Sequence, residues 1–148
     1  MNLLNSLHWK RIVHGMGIFG LCVAALASAC TTAGKNLPVS EGAAVMGRGN
    51  IQEAELQVES FFFKPNRLEV VVNIPVRLTL KSGAFIIPHN FSLHALDAGI
   101  DINKDIGHGK EVVVEFTPTK VGEYPFYCDK GSHAEKGMTG VLIVKPQQ

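Results

Sequence analysis

From about Glu53 onward, apolar and polar side chains alternate in short runs broken by turn-forming residues. The runs predict strands near residues 54–60, 68–72, 76–80, 90–96, 111–116, 122–128 and 140–144. Breaks fall at Lys64-Pro65-Asn66, Asn73-Ile74-Pro75, Ser82-Gly83, Gly107-His108-Gly109 and Pro118. No helical period competes, and residues 98–105 are expected to hold no more than a turn. No internal repeat or heptad is present. Short strands at this spacing predict an all-β domain over residues 53–148, an antiparallel sandwich or barrel. Within it, Phe61-Phe62-Phe63 reads as core and strand edge. Phe85 and Ile87, in the apolar run Ala84-Phe85-Ile86-Ile87-Pro88, read as buried strand positions.

The chain before this domain has a different texture. Lys10 and Arg11 precede an apolar, small-residue run that ends Leu26-Ala27-Ser28-Ala29. Residues 1–29 therefore read as a signal peptide, with Ala27 and Ala29 at the small-residue cleavage positions. The competing reading is an uncleaved membrane anchor, for which the run is about long enough if His14 is tolerated. Ala27-Ser28-Ala29-Cys30 resembles a bacterial lipoprotein signal, in which the Cys becomes the lipidated first residue. It departs from the usual pattern in carrying Ala27 where Leu is preferred. Residues 30–52 follow as a small, polar, Gly-rich stretch with no apolar period, expected to be a flexible tether. These features imply an exported, periplasmic or cell-surface protein held to a membrane through Cys30.

Charge narrows the partner classes. The 148-residue chain carries 14 Lys and Arg against 13 Asp and Glu. Without Lys10 and Arg11 of the leader, 12 basic side chains face 13 acidic ones, a net charge of −1. No clustered basic surface is available for nucleic acid. The surface is too near neutral for strong electrostatic steering. Separately, a monomer is expected.

The chemistry concentrates in Tyr127-Cys128-Asp129-Lys130-Gly131-Ser132-His133-Ala134-Glu135-Lys136-Gly137-Met138. Of the three cysteines, Cys22 lies in the leader and Cys30 at its end, so Cys128 has no partner inside the domain. A buried bystander thiol is one explanation. A metal ligand is the better one, because His133 and Met138 follow at loop spacing and His89 stands upstream in Pro88-His89-Asn90-Phe91. One thiolate, two imidazoles and a weak thioether form the trigonal-plus-axial set of an electron-transfer copper site. A structural zinc wants four Cys or His ligands. A c-type haem wants Cys-x-x-Cys-His, and a binuclear copper site a second loop Cys; Ser132 stands in its place. One mononuclear copper ion fits best.

Period-two geometry supports the grouping. Tyr124, Phe126 and Cys128 share one strand face, and His89, Phe91 and Leu93 share another. Two neighbouring strand ends then bring His89 and Cys128 to one pole, where His133 and Met138 close the site from the loop. His94 has the opposite parity to His89 and reads as surface, and His108 reads as a turn residue.

Phe116-Thr117-Pro118-Thr119-Lys120-Val121-Gly122-Glu123-Tyr124-Pro125-Phe126-Tyr127-Cys128, with His133 and Gly137-Met138-Thr139-Gly140, resembles the C-terminal half of the cupredoxins. His89-Asn90-Phe91 resembles their first histidine motif. The likeness is tight over residues 83–145 and loose over 53–82; the loop spacing is most similar to that of rusticyanins and longer than in plastocyanins or azurins. It implies a Greek-key β-sandwich of about seven to eight strands. It implies His89, Cys128, His133 and Met138 as ligands of one copper ion, and Asn90 as a brace between the first histidine and the Cys loop. It also implies a one-electron carrier with an unidentified redox partner protein, the apolar run at 84–88 lying near the copper pole. No general base, nucleophile or substrate motif points to an enzyme. The alternative function is a copper-handling protein that buffers or delivers the metal.

Overall fold

The computed structural model describes residues 38–148. The expected leader, Cys30 and the tether up to residue 37 lie outside the described residues. The domain contains β1 (Glu41–Ala43), β2 (Val45–Met46), β3 (Gln52–Glu59), β4 (Phe62–Lys64), β5 (Arg67–Val71), β6 (Val76–Ser82), β7 (His89–Ala95), β8 (Ile100–Ile106), β9 (Glu111–Phe116), β10 (Gly122–Tyr127) and β11 (Thr139–Lys145). A single 3-10 turn, Leu96–Ala98, joins β7 to β8. One sheet runs β1-β5-β11-β10-β7-β8; the other runs β2-β3-β6-β9, with β4 paired to β3.

The all-β sandwich is present, with four strands beyond the seven read from alternation. Two of the additions, β1 and β2, fall in the stretch expected to be tether, so the domain takes in chain well before residue 53. They are too short for alternation to register: β1 lies parallel to β5 and β2 antiparallel to β3, held by neighbouring backbone. β4 follows directly from a tight turn. β8 corrects the expected turn at 98–105; Ile100, Ile102 and Ile106 alternate there with Asp101, Asn103 and Asp105, and the whole strand pairs with β7. The sheets are mixed where an antiparallel sandwich or barrel was expected: β3–β6, β5–β11 and β1–β5 are parallel pairs.

The core explains how the site is placed. Phe63 from β4, Phe91 from β7 and Phe126 from β10 meet with ring centroids 5.2–6.0 Å apart. Phe91 is two residues after His89 and Phe126 two before Cys128, so these two rings lie beneath those donors on the same strand faces, and Phe63 meets them from the other sheet. Gly140 on β11 keeps this layer closed, because a Cβ there would stand 2.3 Å from the Phe126 ring and 2.7 Å from the Asn66 carbonyl. The Tyr124 hydroxyl donates to the Lys120 carbonyl at 3.1 Å and pins the entry to β10. Phe85 corrects the expected buried strand: it is 74% exposed, because the chain between β6 and β7 forms a loop, and its ring packs edge-on to His108. Ile87 is half-buried in the same loop.

Candidate metal centre

Two strand ends and one loop build the site. His89 opens β7, Cys128 follows the last residue of β10, and the 128–138 connection returns to β11. That connection is wound tightly on itself. The Cys128 amide donates to the Met138 carbonyl at 3.1 Å, and the Met138 amide donates to the His133 carbonyl at 3.0 Å. The Lys136 amide reaches the Ser132 and His133 carbonyls. Gly137, at φ 100°, takes a turn conformation that a side chain would strain.

The result is a cluster of His89, Cys128 and His133 whose ligand atoms all lie within 4.8 Å of one another. Cys128 Sγ stands 3.3 Å from His133 Nδ1 and 3.9 Å from His89 Nδ1, so both imidazoles turn the same nitrogen toward one sulfur. Cys128 is completely buried and His89 nearly so, while His133 is half-buried. Met138 is completely buried at the end of the same loop, its backbone bonded to both Cys128 and His133.

Burial and nearby positive charge keep both imidazoles neutral. The His89 imidazole is pushed below its usual range first by burial and then by His133. Burial likewise lowers His133, with the Lys136 ammonium adding to the effect. Both rings therefore favour the neutral, ligating form. His89 Nε2 is buried with no hydrogen-bond partner among the described residues. Donors bonded to one ion at about 2.0–2.3 Å and spread by about 120° stand about 3.5–4 Å apart, close to the two sulfur–nitrogen separations. One thiolate and two imidazoles over a buried thioether residue fit a single copper ion.

Asn90 lies where the outer face of β7 meets the Cys128 loop. Its amide N–H points at Cys128 Sγ at 3.5 Å. Its side-chain oxygen accepts the Asp129 amide at 2.9 Å, and the two N–H groups of its side chain are shared among Asp129, Asn103 and Ser92 oxygens, all within hydrogen-bond distance. Ser92 and Asn103 in turn donate to the other Asp129 oxygen at 3.0 and 2.8 Å. Burial raises the Asp129 carboxyl, but these hydrogen bonds outweigh it and hold it below the usual carboxylate range.

Asp129, Ser92 and Asn103 were not legible in the sequence, since they meet only after β8 pairs with β7. Phe61 was also missed. Expected in the core or at a strand edge, its ring instead lies edge-on to His133 and His89. The triple Phe61-Phe62-Phe63 was the available signal, because three consecutive residues of a strand cannot all face inward. His94 and His108 stand apart from the cluster, His94 against Asp101 and His108 against the Ala84 carbonyl.

The family model of the cupredoxin-like domain matches residues 20–144. The chain belongs to the cupredoxin-like domain family. A search of curated proteins finds no match. Among solved structures, this cupredoxin-like domain resembles the metal-binding domain of the Cu(I)-exporting P-type ATPase CopA of Streptococcus pneumoniae D39, at 22% identity and TM-score 0.54, covering 74% of this chain and 99% of that one. It resembles dithionite-reduced auracyanin of Roseiflexus castenholzii at 18% identity and TM-score 0.55, covering 74% and 100% of the two chains. Auracyanin B is similar at 20% identity and TM-score 0.56, with 70% and 94% covered. At these identities the likeness establishes the fold.

The Asn90 cluster generates a prediction for the metal-free protein. Asn90→Ala removes the acceptor of the Asp129 amide and both side-chain N–H donors, so it should lower unfolding stability by about 1–3 kcal/mol. A denaturant midpoint equal to that of the parent, at equal slope, would show that the cluster does not hold the loop.

Proposed function

We propose that this protein is an extracytoplasmic one-electron carrier, not an enzyme, with His89, Cys128 and His133 holding one copper ion and Met138 as the weak axial ligand. The observation that carries the reading is the convergence of both imidazole Nδ1 atoms on the buried Cys128 sulfur. When bound, copper supplies a Cu(I)/Cu(II) couple.

The chain's own residues supply the rest. Strands β7 and β10 fix His89 and Cys128 before any ion binds, and the Phe63-Phe91-Phe126 floor keeps water from below. The Asn90 amide stabilises negative charge on the sulfur. Half-buried His133 brings the cluster nearest to solvent, which suits electron exchange with a partner protein at that edge. Four protein donors leave no open position for a substrate, which favours carrying electrons over catalysis.

The visible spectrum tests the reading directly. Copper-loaded protein should show an intense thiolate charge-transfer band that bleaches reversibly on reduction, and Cys128→Ser should abolish it. A protein that binds one copper without such a band, or loses the metal at each reduction, is a copper-handling protein instead. Met138→Gln should keep copper bound while lowering its potential, since an oxygen donor favours Cu(II). A potential and spectrum equal to those of the parent would make Met138 a packing residue only.

We also propose attachment to a membrane through lipidated Cys30. Among the described residues no helix is long and apolar enough to cross a membrane. The Ser40 amide bonds to the Asn66 side chain, and Glu41 pairs with Arg67 beside Val141, close to the Met138 end of β11. The chain thus enters the domain at its metal end. Nine residues separate Cys30 from Ser40, a reach of at most about 35 Å. Mass spectrometry of membrane-extracted protein should find an acylated N-terminal Cys30. An unmodified, freely soluble mature form would remove the anchor.

A further inference from the structure

We infer that Phe61 is the positioning residue for the two imidazoles, its ring clamping His133 and His89 so that both Nδ1 atoms face Cys128. The inference deepens the metal-centre reading above and rests on it. Phe61 sits in the turn between β3 and β4, half-buried, with φ at +66°. Among the described residues the other non-glycine positions of positive φ are Asn50 and Asn73, a residue type that adopts this conformation readily. An aromatic residue there is a genuine outlier and persists only where surrounding contacts over-determine it.

Those contacts point at the site. The Phe61 ring lies edge-on to His133 at 5.0 Å and 83°, and to His89 at 6.2 Å and 89°. Its aromatic partners are the two imidazoles, whereas the core trio is made by Phe63, Phe91 and Phe126. The Lys136 ammonium stands 4.4 Å from the Phe61 centroid. Lys136 is three residues after His133, so this cation–π contact ties the loop to the β3–β4 turn.

An independent observation shows why a clamp is needed. A metal-ligating histidine is ordinarily oriented by a hydrogen bond from its other ring nitrogen. Among the described residues His89 Nε2 has no such partner, and it is buried. The orientation of that ring is left to packing, and Phe61 is the aromatic side chain that touches both rings. Backbone strain at residue 61 is the cost of delivering its ring from a turn that strand alternation would have aimed elsewhere.

Glycine accepts the turn conformation without strain, so Phe61→Gly separates the clamp from the fold. The metal-free variant should keep or raise the denaturant midpoint of the parent. In NMR spectra of the metal-free protein, the His133 ring resonances should lose the shift imposed by the neighbouring aromatic ring and broaden. Copper-loaded Phe61→Gly should release its metal to a Cu(I) chelator at least tenfold faster than the parent, and Phe61→Tyr should restore the parental rate. A lower midpoint for metal-free Phe61→Gly would make Phe61 a packing residue and overturn the proposal. So would parental release and unchanged His133 resonances. If the parent itself binds no copper, the metal-centre reading fails and this inference falls with it; a copper-binding parent with an indifferent Phe61→Gly refutes the clamp alone.

Discussion

Two imidazoles and a thiol at one buried point are mutually unwelcome without a cation, and this constraint governs the metal end of the domain. The His89 and His133 rings stand 4.9 Å apart, so protonating either one disfavours protonating the other. Burial removes the water that would solvate a charged ring, and it leaves His89 Nε2 without a partner among the described residues. A fold that keeps these groups together forgoes stability that an apolar filling would provide. The donors gain from convergence only when something positive sits among them, which is the physical case for a metal.

The strands meet that constraint through β7, whose first five residues are buried on both faces. One face sends His89, Phe91 and Leu93 inward. The other sends Asn90 and Ser92 into the Asp129 cluster, where an ionised carboxylate collects three donated bonds. A strand with one solvated face would leave the Cys128 loop tethered only at its ends. The polar face of β7 supplies the lateral hold, and β8 supplies Asn103 to complete it. Local alternation, sheet pairing and donor placement are therefore one arrangement seen at three scales.

Much of this was legible in the sequence, and the limits of legibility have physical causes. Seven strands follow from alternation because each has one apolar face long enough to show a period. β1 and β2 were invisible because they are two or three residues long and owe their extended form to partners distant in sequence. β8 was readable, since its isoleucines alternate with acids and Asn103, but its charged, exposed residues made it resemble a turn. His89, Cys128 and His133 could be grouped from parity and loop spacing alone. Asp129 could not be weighed, because its partners come from two other strands. Phe85 was misplaced because hydrophobicity does not say whether a neighbour exists to cover it.

Phe61 shows where such reading must stop. Alternation places residues 61 and 63 on one face, which assigns both to the core; the turn at Ser60-Phe61 breaks the parity and leaves only Phe63 there. The break has an energetic direction. A left-handed Phe is unfavourable by itself, so the turn accepts backbone strain in order to place a ring against the imidazoles. Lys136 approaches the same ring from the loop that carries His133. The metal end is thus closed by a contact between two turns rather than by a strand pair. Strands fix His89 and Cys128 through paired backbone and hold Asp129 through Asn90, while beyond Asp129 the loop has its internal hydrogen bonds, the Lys130–Asp105 ion pair and the Phe61 contact. Local rigidity should therefore fall from Cys128 to His133, with Phe61 setting how far.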